Sequence, residues 1–99
     1  MNNKLLSMLG ICNKAGKLAV GKDKTIEAIK KNKARLVILA SDLSIKTSKD
    51  IINEAKENDV KVENSNVSMN EFSQVFSRVS GIICILDNGF AKKIETLLH

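Results

Sequence analysis

Gly21, Lys22, Asp23 and Lys24 follow one another just ahead of a segment carrying Glu27, Lys30 and Lys31. A glycine turn that opens a basic helix leaves backbone N–H groups and the positive helix end free, which suits a phosphate. Asp23 adds an acceptor beside those donors. The segment runs into Leu36-Val37-Ile38-Leu39-Ala40, an apolar stretch rigid enough to hold the turn in place. Six of the sixteen Lys and Arg of the chain fall between Val20 and Asp42, so this is where chemistry is expected.

Other chemistries find few residues. Gly21-Lys22 lacks the preceding glycine and the following Ser or Thr of a phosphate-binding loop, and no G-x-G-x-x-G or G-x-S-x-G occurs. The single histidine is His99, which leaves no internal general base and almost no metal ligands. Cys12 and Cys84 are far apart and each sits among apolar residues, as small buried hydrophobes do. Asp42, Asp59 and Asp87 lie near the expected strand ends, where capping and turn formation account for them. Neither catalysis, a metal nor a cofactor is expected.

Charge is unevenly spread. Residues 1–35 hold nine basic side chains against two acidic ones, a net +7, while the rest sums to −2. One basic face results, and nucleic acid is the common partner of such a face. With no Trp or Tyr and only Phe72, Phe76 and Phe90, all at core-like spacing, base-stacking platforms are missing. A folded RNA or a duplex, met through phosphates and a few base edges, is left as the target. A protein-interaction module with a basic surface is the alternative. No apolar run is long enough to span a membrane, and Ser7 and Gly10 interrupt any leader-like core, so a cytoplasmic location is expected.

The elements that must position these residues can be read in order. Lys4 to Lys14 has helical apolar spacing and ends at Gly16, a natural left-handed C′ residue. Leu18-Ala19-Val20 is extended. Asp23 to Asn32 forms a second helix with Ile26 and Ile29 inward, and Glu27 precedes Lys31 by one favourable turn. Leu36 to Ala40 is a strand covered on both faces. Ser44 caps a third helix to about Asn58 that buries Ile45, Ile51, Ile52 and Ala55. Val60 to Val62 is a short strand. Ser68 and Glu71 form a capping box for a helix holding Phe72, Val75 and Phe76. Gly81 to Leu86 is another buried strand, and Asp87-Asn88-Gly89 leads into a closing helix ending near Leu98. Alternating helices and strands in a chain of 99 residues predict an α/β fold, residues 1–99 forming one three-layer α/β/α sandwich with a small mixed central sheet.

Gly21 to Asp42 resembles the signature of the kink-turn-binding ribosomal-protein superfamily. The shared pattern is Gly21, the pair Asp23-Lys24, Ala28-Ile29, Lys33-Ala34-Arg35-Leu36-Val37 and Ala40-Ser41-Asp42. Asp42 to Lys49 and Leu86 to Lys93 are similar to its bacterial YlxQ-like branch, so the likeness spans nearly the whole chain. The resemblance implies the same sandwich and RNA binding at sharply bent duplexes with sheared G·A pairs. It assigns guanine reading to Asp23 and Lys24, the phosphate position to Glu27, and packing on extruded nucleotides to Ser77, Arg78, Val79 and Ser80. Two residues depart from the pattern. Lys24 puts a donor where an acceptor is common, and Glu27 puts a carboxylate where phosphate is expected. Lys22, Lys30 or Lys31 then supplies the phosphate contact. The expected protein is a non-enzymatic monomer bound to kink-turn or ribosomal RNA, on the ribosome or in another ribonucleoprotein.

Overall fold

The computed structural model describes residues 3–98. Met1 and Asn2, where a leader would begin, and His99, the sole histidine, lie outside the described residues. The elements are α1 (Asn3–Lys14), β1 (Leu18–Val20), α2 (Lys22–Lys30), β2 (Leu36–Leu39), α3 (Ile45–Glu57), β3 (Val62–Asn64), α4 (Met69–Phe76), β4 (Ile82–Ile85) and α5 (Asn88–Leu97).

Side-chain alternation along the two central strands divides the core. Leu36, Ile38, Ile83 and Ile85 pack with Leu5, Leu9 and Cys12 of α1, Phe72 and Phe76 of α4, and Ile94 of α5. Val37, Leu39, Ile82 and Cys84 face the other way, onto Ala28 and Ile29 of α2 and Ile51 and Ala55 of α3. Both strands are buried along their whole length, as their unbroken apolar sequence requires. The result is the three-layer α/β/α sandwich with a mixed sheet. Strand order is β1-β4-β2-β3, with β2 and β3 parallel and the other pairs antiparallel.

That topology gathers one set of loops. Val20 pairs with Ile83 and Leu39 with Ile82, so β1 and β2 end beside the start of β4. The turn at Gly21 and the loop before β4 are thereby brought together at one end of the sheet. Carboxyl ends of strands are the usual place for sites in open α/β sheets.

Helix ends follow side-chain chemistry. Ser44 accepts from the Thr47 N–H, Asp87 accepts from the Phe90 N–H, and Ser68 and Glu71 form a full capping box. Gly16 is left-handed at φ 73°. Asn32 and Asp59 are also left-handed. Lys33 N–H reaches back to the Ala28 carbonyl, and Val60 N–H reaches back to that of Ala55. These are the back-bonded closures of α2 and α3.

Two expectations are corrected. Ile45 and Ile52 are exposed, at 75% and 40%, not buried. Ile51 and Ala55 set the inward side of α3, and at about 100° per residue Ile45 and Ile52 fall on its flank. The third strand is Val62–Asn64 and not Val60 to Val62, because the Val60 N–H is committed to closing α3.

Candidate nucleic-acid interface

Gly21 is the hinge on which the site turns. Its φ of 106° and ψ of 161° lie outside the range comfortable for a side chain. Its N–H donates to the Ile82 carbonyl at 2.9 Å, continuing the β1–β4 ladder by one residue. The chain then enters α2 directly, with no side chain capping the helix start. The first-turn N–H groups of α2 are thus left to solvent or a ligand.

The opposite wall is the loop between α4 and β4. Ser77 closes α4 in the left-handed conformation, φ 59°. Arg78 follows and leans over the glycine: a Cβ on Gly21 would stand 3.5 Å from its Nη2. Val79 is 73% exposed, an apolar side chain presented to solvent beside a guanidinium. Ser80 is half-buried, its hydroxyl 3.3 Å from both the N–H and the carbonyl oxygen of Ile82. Ser80 is thus engaged within its own loop, and the bond that joins the two segments is the one from the Gly21 N–H to the Ile82 carbonyl.

A cleft of about 190 Å3 runs between these walls, with Asn13, Ala19, Lys24, Phe76 and Arg78 in its lining. A second cleft of about 270 Å3 continues from Ala19 and Lys24 to Glu27, Lys31, Lys33 and Leu86. Lys24 belongs to both.

The sequence-predicted residues separate by what they are free to do. Asp23, Lys24, Lys30 and Arg78 are exposed and make no ion pair or hydrogen bond among the described residues. Lys22 is engaged: its Nζ lies 3.1 Å from Asp50 on α3, whose carboxylate also meets Lys46 at 3.7 Å. The Lys22 hydrogen bond, helped by Lys46, holds the Asp50 carboxyl below its ordinary range. Lys31 is engaged by Glu27 at 2.8 Å. That hydrogen bond lowers the Glu27 pKa, and Lys33 and Lys24 add to the effect. Lys30 sits at the last turn of α2, outside both clefts. Gly21, Lys24 and Arg78 are therefore brought together, Ser77 and Val79 flank them, and Lys30 is apart.

Lys33, Ala19, Asn13 and Leu86 also line the clefts, with no binding role expected of them from sequence. Lys33 had a signal, since it opens the Lys33-Ala34-Arg35-Leu36-Val37 motif. The other three gain their place only from the pairing of β1 with β4. The two thiols lie outside these clefts and are fully buried. Burial, with the Asp87 carboxylate adding to it, pushes Cys12 up to about 11, and burial pushes Cys84 up to about 12. No helix among the described residues is long and apolar enough to cross a membrane.

The fold is a three-layer α/β/α sandwich in which a glycine turn faces Arg78 at one sheet end. The profile of the ribosomal protein L7Ae/L30e/S12e/Gadd45 family matches residues 3–95, and the chain belongs to that family. Within it the chain falls in the YlxQ-like branch. It is 33% identical over 96 residues to the RNA-binding protein YlxQ of Enterococcus faecium, covering 97% of this chain and 92% of the relative. It is also 33% identical to the protein of that name from Bacillus subtilis strain 168, covering 92% and 91%. Among solved structures, a Bacillus halodurans protein of unknown function superposes with a TM-score of 0.87 at 26% identity, covering 96% of each chain. The Giardia lamblia 15.5kD RNA binding protein shares the fold with a TM-score of 0.77 at 14% identity, covering 99% of this chain and 88% of its own.

Proposed function

We infer that this chain is a non-catalytic RNA-binding protein that engages structured RNA, kink-turns above all, at the sheet end where Gly21 and Arg78 meet. The observation that carries the reading is the convergence of the uncapped α2 start, the exposed Lys24 and the unpaired Arg78 at one cleft, with exposed Asp23 on the same first turn of α2 but outside the cleft lining. Relatives at 33% identity bear the name RNA-binding protein, which supports it. In this reading Gly21 lets the phosphate backbone approach, Asp23 and Lys24 meet base edges, and Arg78 and Lys24 neutralise phosphate. Val79 packs on an unstacked nucleotide, with Ser77 beside it. Lys22 and Lys31 contribute after exchanging Asp50 and Glu27 for phosphate, and Lys30 adds long-range attraction. Ribosomal RNA, or the RNA of another ribonucleoprotein, is the proposed partner of a cytoplasmic monomer.

Salt dependence tests the electrostatic part. Affinity for a structured RNA should fall with log salt by about 0.9 per duplex phosphate neutralised. A slope indistinguishable from zero would remove phosphate from the account. Absence of binding to any structured RNA at low salt would favour the protein-interaction alternative.

A further inference from the structure

The second cleft, beside the outer edge of β1, joins an apolar lining to a charged one. Ala19, Ala28 and Leu86 supply the apolar part, and Lys24, Lys31 and Lys33 surround the single carboxylate of Glu27. We propose that this cleft takes an unpaired guanine base of the bound RNA, with its N1–H and its N2 amine donating to the Glu27 carboxylate and Lys24 and Lys33 holding the adjacent phosphates. The proposal rests on the RNA-binding reading above and names the base that one part of that surface selects.

Three features argue for it. The first is chemical complementarity. A carboxylate is acceptor-only and offers two oxygens side by side. Among the four bases only guanine presents two neighbouring donors on its Watson–Crick edge. Adenine and cytosine pair a donor with an acceptor there, and uracil has one donor between two acceptors. The second is availability. Glu27 Oε1 accepts from Lys31, while Oε2 accepts no hydrogen bond among the described residues. The Glu27–Lys31 pair is exposed at both ends, so Lys31 exchanges it readily for a phosphate. The third is size and character. About 270 Å3 admits a purine ring, and the apolar lining gives its face something to lie on. The surrounding lysines also keep the carboxylate ionised, so it stays an acceptor in neutral solution.

The test uses the whole chain and three hairpin RNAs that share one stem and differ in a single bulged nucleotide: guanosine, inosine or adenosine. Inosine keeps N1–H and lacks the N2 amine. Binding is read by fluorescence anisotropy at low salt. The wild-type chain should prefer guanosine to adenosine by about tenfold, with inosine between them. Glu27→Gln, which offers one acceptor and one donor at the same size, should reduce the preference to within about twofold without weakening binding to the adenosine hairpin. Equal binding of all three RNAs by the wild-type chain, or an undiminished preference in Glu27→Gln, would overturn the guanine assignment and leave RNA binding standing. Free guanosine monophosphate binding as tightly as the guanosine hairpin would overturn it in favour of a free nucleotide. Failure to bind any hairpin would overturn this inference together with the RNA-binding reading on which it rests.

Discussion

Arg78 lies across Gly21, close enough that a Cβ on the glycine would stand 3.5 Å from the guanidinium. The contact joins the start of α2 to the loop before β4, segments that the antiparallel pairing of β1 with β4 brings to one end of the sheet. Because Arg78 makes no ion pair or hydrogen bond among the described residues, its charge is available to a ligand. Arg78→Ala should weaken RNA binding and reduce the salt slope by about 0.9. Stability should change by less than about 0.5 kcal/mol, as for other exposed side chains without partners. Paired salt titrations and urea unfolding would show it, and an unchanged slope would take Arg78 out of the interface.

Two glycines near the site should fail for different reasons. Gly21→Ala has room but a φ of 106°, so its cost is backbone strain, about 1–3 kcal/mol. A Cβ on Gly81 would meet Leu43 Cδ1 at 2.8 Å and Met69 Cγ at 3.1 Å, so Gly81→Ala forces these two half-buried side chains to shift and costs about 1 kcal/mol. Urea unfolding followed by circular dichroism measures both. Wild-type stability in either variant would contradict the backbone and packing described for this end of the sheet.

Thr25 on α2 is fully buried, and its hydroxyl has no hydrogen-bond partner among the described residues. Valine has the same shape without the polar atom. Thr25→Val should therefore raise stability by about 1 kcal/mol, since burying an unsatisfied hydroxyl costs about that or more. A loss of stability would mean that the hydroxyl has a partner in solution.

The thiols give a pH test. Cys12 and Cys84 are pushed up to about 11 and about 12, from 9.0. An acid raised on folding contributes stability that is complete below its unfolded pKa and is lost as pH rises toward the folded value. Stability should therefore decline from about pH 9 upward, and Cys84→Ala should show a shallower decline. At about pH 8 neither thiol should react with an aromatic disulfide reagent until denaturant is added. Rapid reaction in the native state would contradict the burial of both.

Much of this was legible in the chain because local chemistry and tertiary role agree. Leu36 to Leu39 and Ile82 to Ile85 are unbroken apolar runs too short for a helix, and both are doubly covered strands. Ser44, Ser68 and Asp87 mark helix starts through hydrogen bonds made within three residues. Ile45 and Ile52 misled because apolar spacing on α3 does not reveal which of two adjacent sides meets the sheet. In the site, Gly21 and Lys24 were readable as a turn and a helix start. The engagement of Lys22 by Asp50 was not, since it depends on how α2 and α3 lie together. The place of Leu86 beside Lys24 likewise follows from strand pairing, which no local pattern encodes.

Glu27 fits neither a phosphate contact nor a buried role, and its pairing with Lys31 at 2.8 Å shows how the chain accommodates it. Removing the carboxylate frees Lys31. Glu27→Ala should thus raise affinity for a plain duplex about two- to fivefold at low salt, an effect that salt erases. Electrophoretic mobility shifts at two salt concentrations would measure it, and weaker duplex binding would show that Glu27 contributes attraction of its own.

We propose that the sheet end framed by Gly21, Lys24 and Arg78 recognises bent, structured RNA. The most direct test is a side-by-side titration of the whole chain against a kink-turn RNA and a straight duplex of equal length, at one fixed salt concentration. The kink-turn should bind at least about tenfold more tightly, and Arg78→Ala and Lys24→Ala should each narrow the gap. Equal affinity for the two RNAs, unmoved by either substitution, would contradict the proposal.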